Sequence, residues 1–455
     1  MAIKRVIIRN FKCIKELDIV LAPLTIFIGP NGSGKSSILE ALALMSQSAT
    51  KGTNIKDALH GELVEYEDLK SILFRGQKDV ELALGIGLDI RAEEVIEGFR
   101  KDLSTFTEIA KSTASSATRE GALGYTDLLQ KLSIDKREEL NVTYVYYLSD
   151  LRYLHEFVID GHRIAFGFDE RYGSISEPRY LQLSPRSSNV FLSSFSVVGY
   201  GSYFADELVR AIRERLARVY YISAERGSIP WTYGTPQEAH RWVGRRGEHT
   251  LEILAELMKP ANEDRMAPYE ILCERFGIKR VWAGWERYYY LTSNYVDPYL
   301  GSAHKLPSLG YGSRQLLPII AQLAYSEPGS VILIEEPEIS LHPGYQRLLP
   351  VLFGRAVSEG KQILVTTHSS YFPLSLNLVL EGDGYPLKGW TRAGEREYRV
   401  KLSPEDVAIY HVTRDEKEGY TKVEKLELDE RGPKKGIPSF VEVERDILRS
   451  LIVEE

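Results

Sequence analysis

Residues Gly29-Pro30-Asn31-Gly32-Ser33-Gly34-Lys35-Ser36 follow the pattern G-x-x-x-x-G-K-[ST]. Glycines let a backbone wrap an anion so that successive N–H groups point inwards, and a helix that starts where the loop ends adds its positive N-terminal end. In that arrangement Lys35 brings a mobile positive charge to the β- and γ-phosphates of a nucleotide, and the Ser36 hydroxyl is a Mg²⁺ ligand. A glycine-rich turn that matches by chance is the plain alternative. The apolar strand before the loop and the helix after it argue for the phosphate.

A second stretch, Val331-Ile332-Leu333-Ile334-Glu335-Glu336-Pro337, is an apolar strand ending in two carboxylates. Neighbouring strand residues point to opposite sides, so the pair divides its work. Glu335 falls to the metal side, directly or through water, and Glu336 is placed to orient and deprotonate an attacking water. A solvated acidic strand end is the alternative, and the phosphate loop tips the balance against it. Strand Ile363–Val365 runs into Thr366-Thr367-His368-Ser369-Ser370. His368 then stands at a strand's carboxyl end, the edge where open α/β sheets gather ligands. It either hydrogen-bonds a γ-phosphate or the attacking water, or is structural. Leu309-Gly310-Tyr311-Gly312-Ser313-Arg314-Gln315 opens a helix and is a candidate second anion site. The phosphate loop is already complete, so this turn would serve a nucleotide held by a partner subunit. An ordinary helix start is the alternative.

The elements that must position these groups read as an α/β pattern at both ends of the chain. Residues 3–9 and 17–21 alternate as half-buried strands, Leu24–Ile28 is a short apolar run suited to a doubly covered strand, and 36–45 reads as a helix. Residues 79–90 alternate again, 91–140 turn helical and charged with a Ser/Thr-rich mobile link at 112–118, and 141–200 suggest an antiparallel meander. Helices are expected at 206–218, 248–258, after Gly312 and after His342, with a strand at 219–223 and a helix-like tail at 440–452.

Composition bounds the rest. The chain has 455 residues and a formal net charge of −7, enough for two or three domain-sized units or one core with a large insertion. No apolar run approaches the ~18–20 residues of a membrane-spanning helix, and the start shows no secretory stretch, so a cytoplasmic protein without a membrane partner is expected. Two cysteines, Cys13 and Cys273, exclude a disulfide framework and a cysteine-rich zinc site. Few Asn and Gln beside many charges lean towards a thermophilic source. The acidic balance argues against a globally basic nucleic-acid binder, leaving only a local patch.

Together these residues resemble the ATP-binding-cassette class of P-loop ATPases, in the soluble branch near the SMC, RecF and OLD proteins. Ile7-Ile8-Arg9-Asn10-Phe11-Lys12 and the loop through Ser37 are similar to that branch's N-terminal pattern. Glu335-Glu336-Pro337-Glu338-Ile339-Ser340-Leu341-His342-Pro343 is similar to its Walker B and D-loop stretch. His368 falls on the switch histidine and Leu309–Gln315 on the signature motif. The likeness covers roughly the first 75 residues and 300–430; the middle is not diagnostic. It implies a P-loop NTPase with an ABC-type head, a mixed sheet plus an antiparallel β subdomain, and a helical/β insertion. Its cofactors would be ATP and Mg²⁺, and two copies would sandwich two ATP molecules head to tail. Asn31, Gly32, Ser33, Gly34, Lys35, Ser36 and Ser37 would bind the nucleotide from one subunit. Gly310, Gly312 and Ser313 would bind it from the other. Lys35, Glu336 and His368 would be catalytic, with Ser36 and Glu335 on the metal. Two departures stand out: Glu335 replaces the usual Asp, and Gly310 replaces the signature serine. Gln77 is the candidate Q-loop glutamine.

The division expected is 1–90 for the first part of the head, 91–205 for the insertion, 206–305 for a linking part and 306–455 for the remainder of the head. About 290 residues between Ser37 and Val331, without sustained heptads or a CxxC hook, are too few for long coiled-coil arms. The size and the split signature do not suit a transporter subunit. Glu381-Gly382-Asp383 suggests the start of an OLD-type nuclease site, but no DxD pair follows, so an exposed turn is expected. What remains is an ATP-driven dimeric switch, or higher oligomer, acting on a separate effector in DNA repair or anti-phage defence. The other reading is a DNA clamp or scaffold with slow turnover. Arg210, Arg213, Arg215, Arg218, Arg226, Arg241, Arg245 and Arg246 are its candidate DNA strip, against a solvated helix face.

Overall fold

The computed structural model describes residues 3–441 apart from 52–54, 78–79, 149–151, 170–172, 176–182, 186–194, 198–199, 228, 230–239 and 287–289. Most of the expected tail helix lies outside the described residues. Two sheets organise the chain. A six-stranded sheet runs in the order Val219–Ile222, Val331–Glu335, Gln362–Thr367, Leu24–Ile28, Val407–Arg414, Thr421–Lys425. Its first five strands are parallel and the last is antiparallel. The sheet therefore draws strands from both ends of the chain. A seven-stranded antiparallel sheet begins with Ile14–Val20, Arg5–Phe11, Leu82–Arg91 and Glu139–Leu148.

The parallel strands are buried along their whole length because both faces are covered, as Leu24–Ile28, Val331–Glu335 and Gln362–Thr367 illustrate. Alternate side chains serve different cores. Phe27, Val331, Leu333 and Leu364 join the core formed with the antiparallel sheet and the helix Lys35–Lys51. Leu24, Ile26, Ile28, Ile332, Ile334, Ile363 and Val365 face the opposite core, with helices Thr250–Leu257, Glu263–Arg275, Tyr311–Tyr325 and Leu349–Ser358. Each fully buried Leu, Ile or Phe contributes about 1.5–3 kcal/mol, so the sheet is a rigid platform for what projects from its end.

Helices Ile96–Ser112 and Ser116–Leu132 are spliced between two paired strands of the antiparallel sheet, with the break at Thr113–Ser115 inside the Ser/Thr-rich stretch. Buried Asp102 fastens them: it accepts from Ser202 Oγ (2.8 Å), Tyr203 N (2.9 Å) and Phe204 N (3.2 Å), which caps the helix Tyr203–Leu216. Burial pushes this carboxyl up while those four donors, Tyr125 OH included, pull it back.

Candidate nucleotide site

Three neighbouring parallel strands end at one level. Glu335 is paired with Thr366, and Thr367 with Ile28. The phosphate loop after Ile28, the carboxylates at Glu335–Glu336 and His368 consequently emerge side by side at the carboxyl edge. With strands ~4.8 Å apart, the outer two of the three stand roughly 10 Å from each other.

The loop between Leu24–Ile28 and Lys35–Lys51 is held from behind. Gly29 has no room for a side chain, since a Cβ would lie 1.9 Å from Val412 O. Gly34 has φ of 105°, and its Cβ would meet Thr421 Oγ1 at 2.2 Å. Thr421 Oγ1 donates to Ser33 O at 2.9 Å and Arg414 Nε to Gly32 O at 2.7 Å, so two side chains from the last strands brace the loop. Asn31 and Gly32 are exposed at its tip, and Ser36 is half-buried at the first turn of the helix. Ser37 is buried behind the loop, its Oγ 3.5 Å from Cys13 Sγ.

Lys35 is 4% exposed and folds onto its own loop, donating to Gly29 O (2.9 Å) and Pro30 O (2.8 Å). Burial pulls its ammonium down to about 8, while the nearby Glu336, Glu338 and Glu335 carboxylates push the other way. The structure thus gathers the lysine and all three acids into one electrostatic neighbourhood.

Glu335 is buried and accepts from Ala224 N at 3.1 Å. Glu336 turns the chain with φ of 42°, its N–H donating to Thr366 O at 2.9 Å. Its Oε1 lies 3.3 Å from His368 Nε2. That hydrogen bond, outweighing partial burial, holds the Glu336 carboxyl below the usual carboxylate range, with Lys35 and Arg226 helping. Glu338 Oε1 accepts from His368 N (2.6 Å) and Thr367 Oγ1 (2.7 Å), and burial pushes this carboxyl up.

Arg226 is the residue whose place no motif announces. It is 5% exposed, and its guanidinium donates to four carbonyls: Gln315 (2.8 Å), Ser223 (2.8 Å), Glu335 (2.6 Å) and Glu336 (2.7 Å). Burial pulls it down to about 10. As a member of the expected surface strip it is therefore misplaced: it faces inwards and splints the acidic strand end. Arg215 is also committed, pairing with Glu94 at 2.9 Å.

Gly310 caps the helix Tyr311–Tyr325 and would carry a Cβ into open space. A Cβ on Gly312 would lie 2.3 Å from Ser340 O, so this turn sits against the segment after the acidic strand. Exposed Tyr311 flanks it, with Ser313 half-buried in the first turn. Gln77 is exposed, and its N–H closes a turn onto Phe74 O at 3.1 Å. Asp383 is exposed in a turn 3.9 Å from Arg399. Ser36 and Glu335 supply a hydroxyl and a carboxylate, the hard oxygen donors that suit Mg²⁺.

Residues 24–375 match a family described as "AAA domain, putative AbiEii toxin, Type IV TA system". Among curated proteins, the DNA replication and repair protein RecF of Vibrio vulnificus is 39% identical over 90 residues, 19% of this chain and 24% of RecF. The OLD nuclease of Thermus scotoductus is 46% identical over 43 residues, 10% of this chain and 8% of the nuclease. The matches thus span a quarter or less of those relatives. Of solved structures, an SMC head bound to the C-winged-helix domain of ScpA superposes with a TM-score of 0.47 and 13% identity, over 94% of this chain and 98% of that one. An SMC head from Pyrococcus furiosus gives 0.42 and 12%, over 99% of each. Among the described residues no helix is long and apolar enough to cross a membrane.

Proposed function

Since the chain belongs to this AAA-domain family, among ABC-type P-loop ATPases of the SMC, RecF and OLD kind, we propose that it binds and hydrolyses ATP as a head-to-tail dimer that switches a separate effector in DNA repair or anti-phage defence. The observation that carries the reading is the alignment of the phosphate loop, Glu335–Glu336 and His368 at the carboxyl edge of three neighbouring parallel strands, with Glu336 bonded to His368.

The geometry supports a role for each residue. Lys35 leaves its two loop carbonyls for the β- and γ-phosphates, exchanging neutral acceptors for anionic ones. The loop N–H groups and the first turn of the helix Lys35–Lys51 complete the cradle. Ser36 and Glu335 would hold Mg²⁺, which when bound neutralises phosphate charge. Glu336, ionised at neutral pH, accepts the proton of the attacking water, and His368 keeps that carboxylate aimed. Gly310 carries no side chain and faces open space, which suits the turn at Gly310–Ser313 to close over a partner's γ-phosphate through backbone N–H groups.

The test is single-turnover hydrolysis combined with light scattering. Wild type should dimerise on ATP and return to monomer after turnover, and Glu336→Gln should stay dimeric with ATP uncleaved. Hydrolysis by a strict monomer, or wild-type turnover by Glu336→Gln, would defeat the proposal. The clamp reading predicts duplex DNA binding that weakens steeply with salt. The inward commitment of Arg226 and Arg215 leaves that reading less of its strip.

A further inference from the structure

His249 closes the N-terminal end of the helix Thr250–Leu257 and Glu252 lies in its first turn. Their three-residue spacing puts both side chains on the same side of that helix end. His240 reaches them from the preceding segment and stacks flat on His249, with ring centroids 3.4 Å apart and planes 10° from parallel. His240 Nδ1 is 2.6 Å from Glu252 Oε2, and His249 Nδ1 is 4.0 Å from Oε1. The first is a hydrogen bond; the second is too long for one. Three ligand atoms, one from each residue, lie within 4.8 Å of one another.

We propose that His240, His249 and Glu252 form a binding site for a divalent transition-metal ion of the zinc class, separate from the nucleotide site. A four-coordinate ion with ligands at ~2.0–2.1 Å sets them roughly 3.3 Å apart, so an ion would bind as the two stacked rings turn off one another and bring their in-plane nitrogens to it. Two imidazoles and one carboxylate select zinc, cobalt or nickel over magnesium or calcium. The side chains are 33%, 29% and 12% exposed, which leaves solvent access and a position for water as fourth ligand.

The site has a mechanical consequence. His249 N donates to Val243 O (2.8 Å), Ser223 N to Arg245 O (2.9 Å) and Gly227 N to Arg246 O (3.3 Å). The segment 240–249 is thus stitched to Ser223–Gly227, which carries Arg226 and the Ala224 N–H on Glu335. An ion joining His240 to the helix Thr250–Leu257 fastens that segment at its far end.

The test uses the untagged full chain without nucleotide. Zn²⁺ is added, the protein is dialysed, and bound metal is counted; Co²⁺ serves as the spectroscopic probe. One equivalent of Zn²⁺ is expected, with visible Co²⁺ bands of a low-coordinate N/O site that Zn²⁺ abolishes. His249→Ala and Glu252→Gln should each weaken binding at least tenfold. Circular dichroism of metal-free variants identifies any that misfold, and His240→Asn provides a milder third change. No stoichiometric ion in wild type, or undiminished binding in folded variants, would overturn the site.

Discussion

The guanidinium of Arg226 donates to the carbonyl oxygen of Glu336 at 2.7 Å while the Glu336 side chain points at His368. The backbone of the proposed general base is therefore held by one residue and its carboxylate by another. Glu336 sits at φ of 42°, a conformation costing of order 1 kcal/mol or more for a non-glycine residue. Arg226 on its carbonyl and Thr366 on its N–H are what fix it there.

Arg226→Met keeps the stem's bulk and removes the guanidinium's hydrogen bonds to four backbone carbonyls. Unpaired buried polar groups cost about 1–3 kcal/mol each and do not add simply, so a loss of about 3 kcal/mol is expected in urea unfolding. Turnover should fall more than nucleotide affinity, because the misplaced group is Glu336 rather than the loop. A loss under about 1 kcal/mol would show the splint to be dispensable.

Replacing Glu336 with Gln is expected to cut turnover about 10²–10⁴-fold, the usual worth of a general base, with ATP still bound. His368→Ala tests the other half. His368 is the main reason that the Glu336 carboxyl lies low, so its loss lets that carboxyl rise towards the ordinary value. A carboxylate base with a depressed value keeps its activity further into acid. The acid limb of the rate profile should accordingly move to higher pH in His368→Ala. An unmoved limb with a lowered plateau would mean that the histidine acts on the nucleotide and not through Glu336.

Much of this site was legible because its parts are contiguous in sequence. The phosphate loop, the strand ending in Glu335-Glu336 and the strand before His368 each carry their own local signature, and parallel pairing then aligns their ends. The helix expected after Gly312 runs over Tyr311–Tyr325. Arg226 was not legible, because its role arises only where Ser223, Gln315 and the acidic strand end meet in space. Counted by charge alone, it looks like surface. Glu338 was visible as part of a motif, but its grip on Thr367 and His368 depends on the adjacent strand.

Lys35 gives a pH prediction whose sign is fixed. With its ammonium lowered to about 8 in the free protein, it is mostly charged at pH 7 and mostly neutral at pH 9. Bound phosphates favour the charged form, so above pH 8 binding must take up a proton. Apparent affinity should then fall about tenfold per pH unit. Calorimetry in buffers of different ionisation heat should show uptake approaching one proton per nucleotide at pH 9 and little at pH 7. Equal uptake at both would contradict a lowered lysine.

Glu338 supplies a change that should stabilise. One of its oxygens takes both hydrogen bonds from Thr367 and His368, and the other is buried without a partner among the described residues. Burial raises this carboxyl, so folding disfavours its ionised form and stability declines as pH climbs from the ordinary carboxylate value through the raised one. Glu338→Gln keeps the accepting oxygen and removes the buried charge beside Glu336. Stability should increase by about 1 kcal/mol at pH 7 and by nothing near pH 4, where the native carboxyl is already neutral. Glu338→Ala removes the acceptor as well and should destabilise at both. If Glu338→Gln instead destabilised at pH 7, the charge itself would be what holds His368 in place.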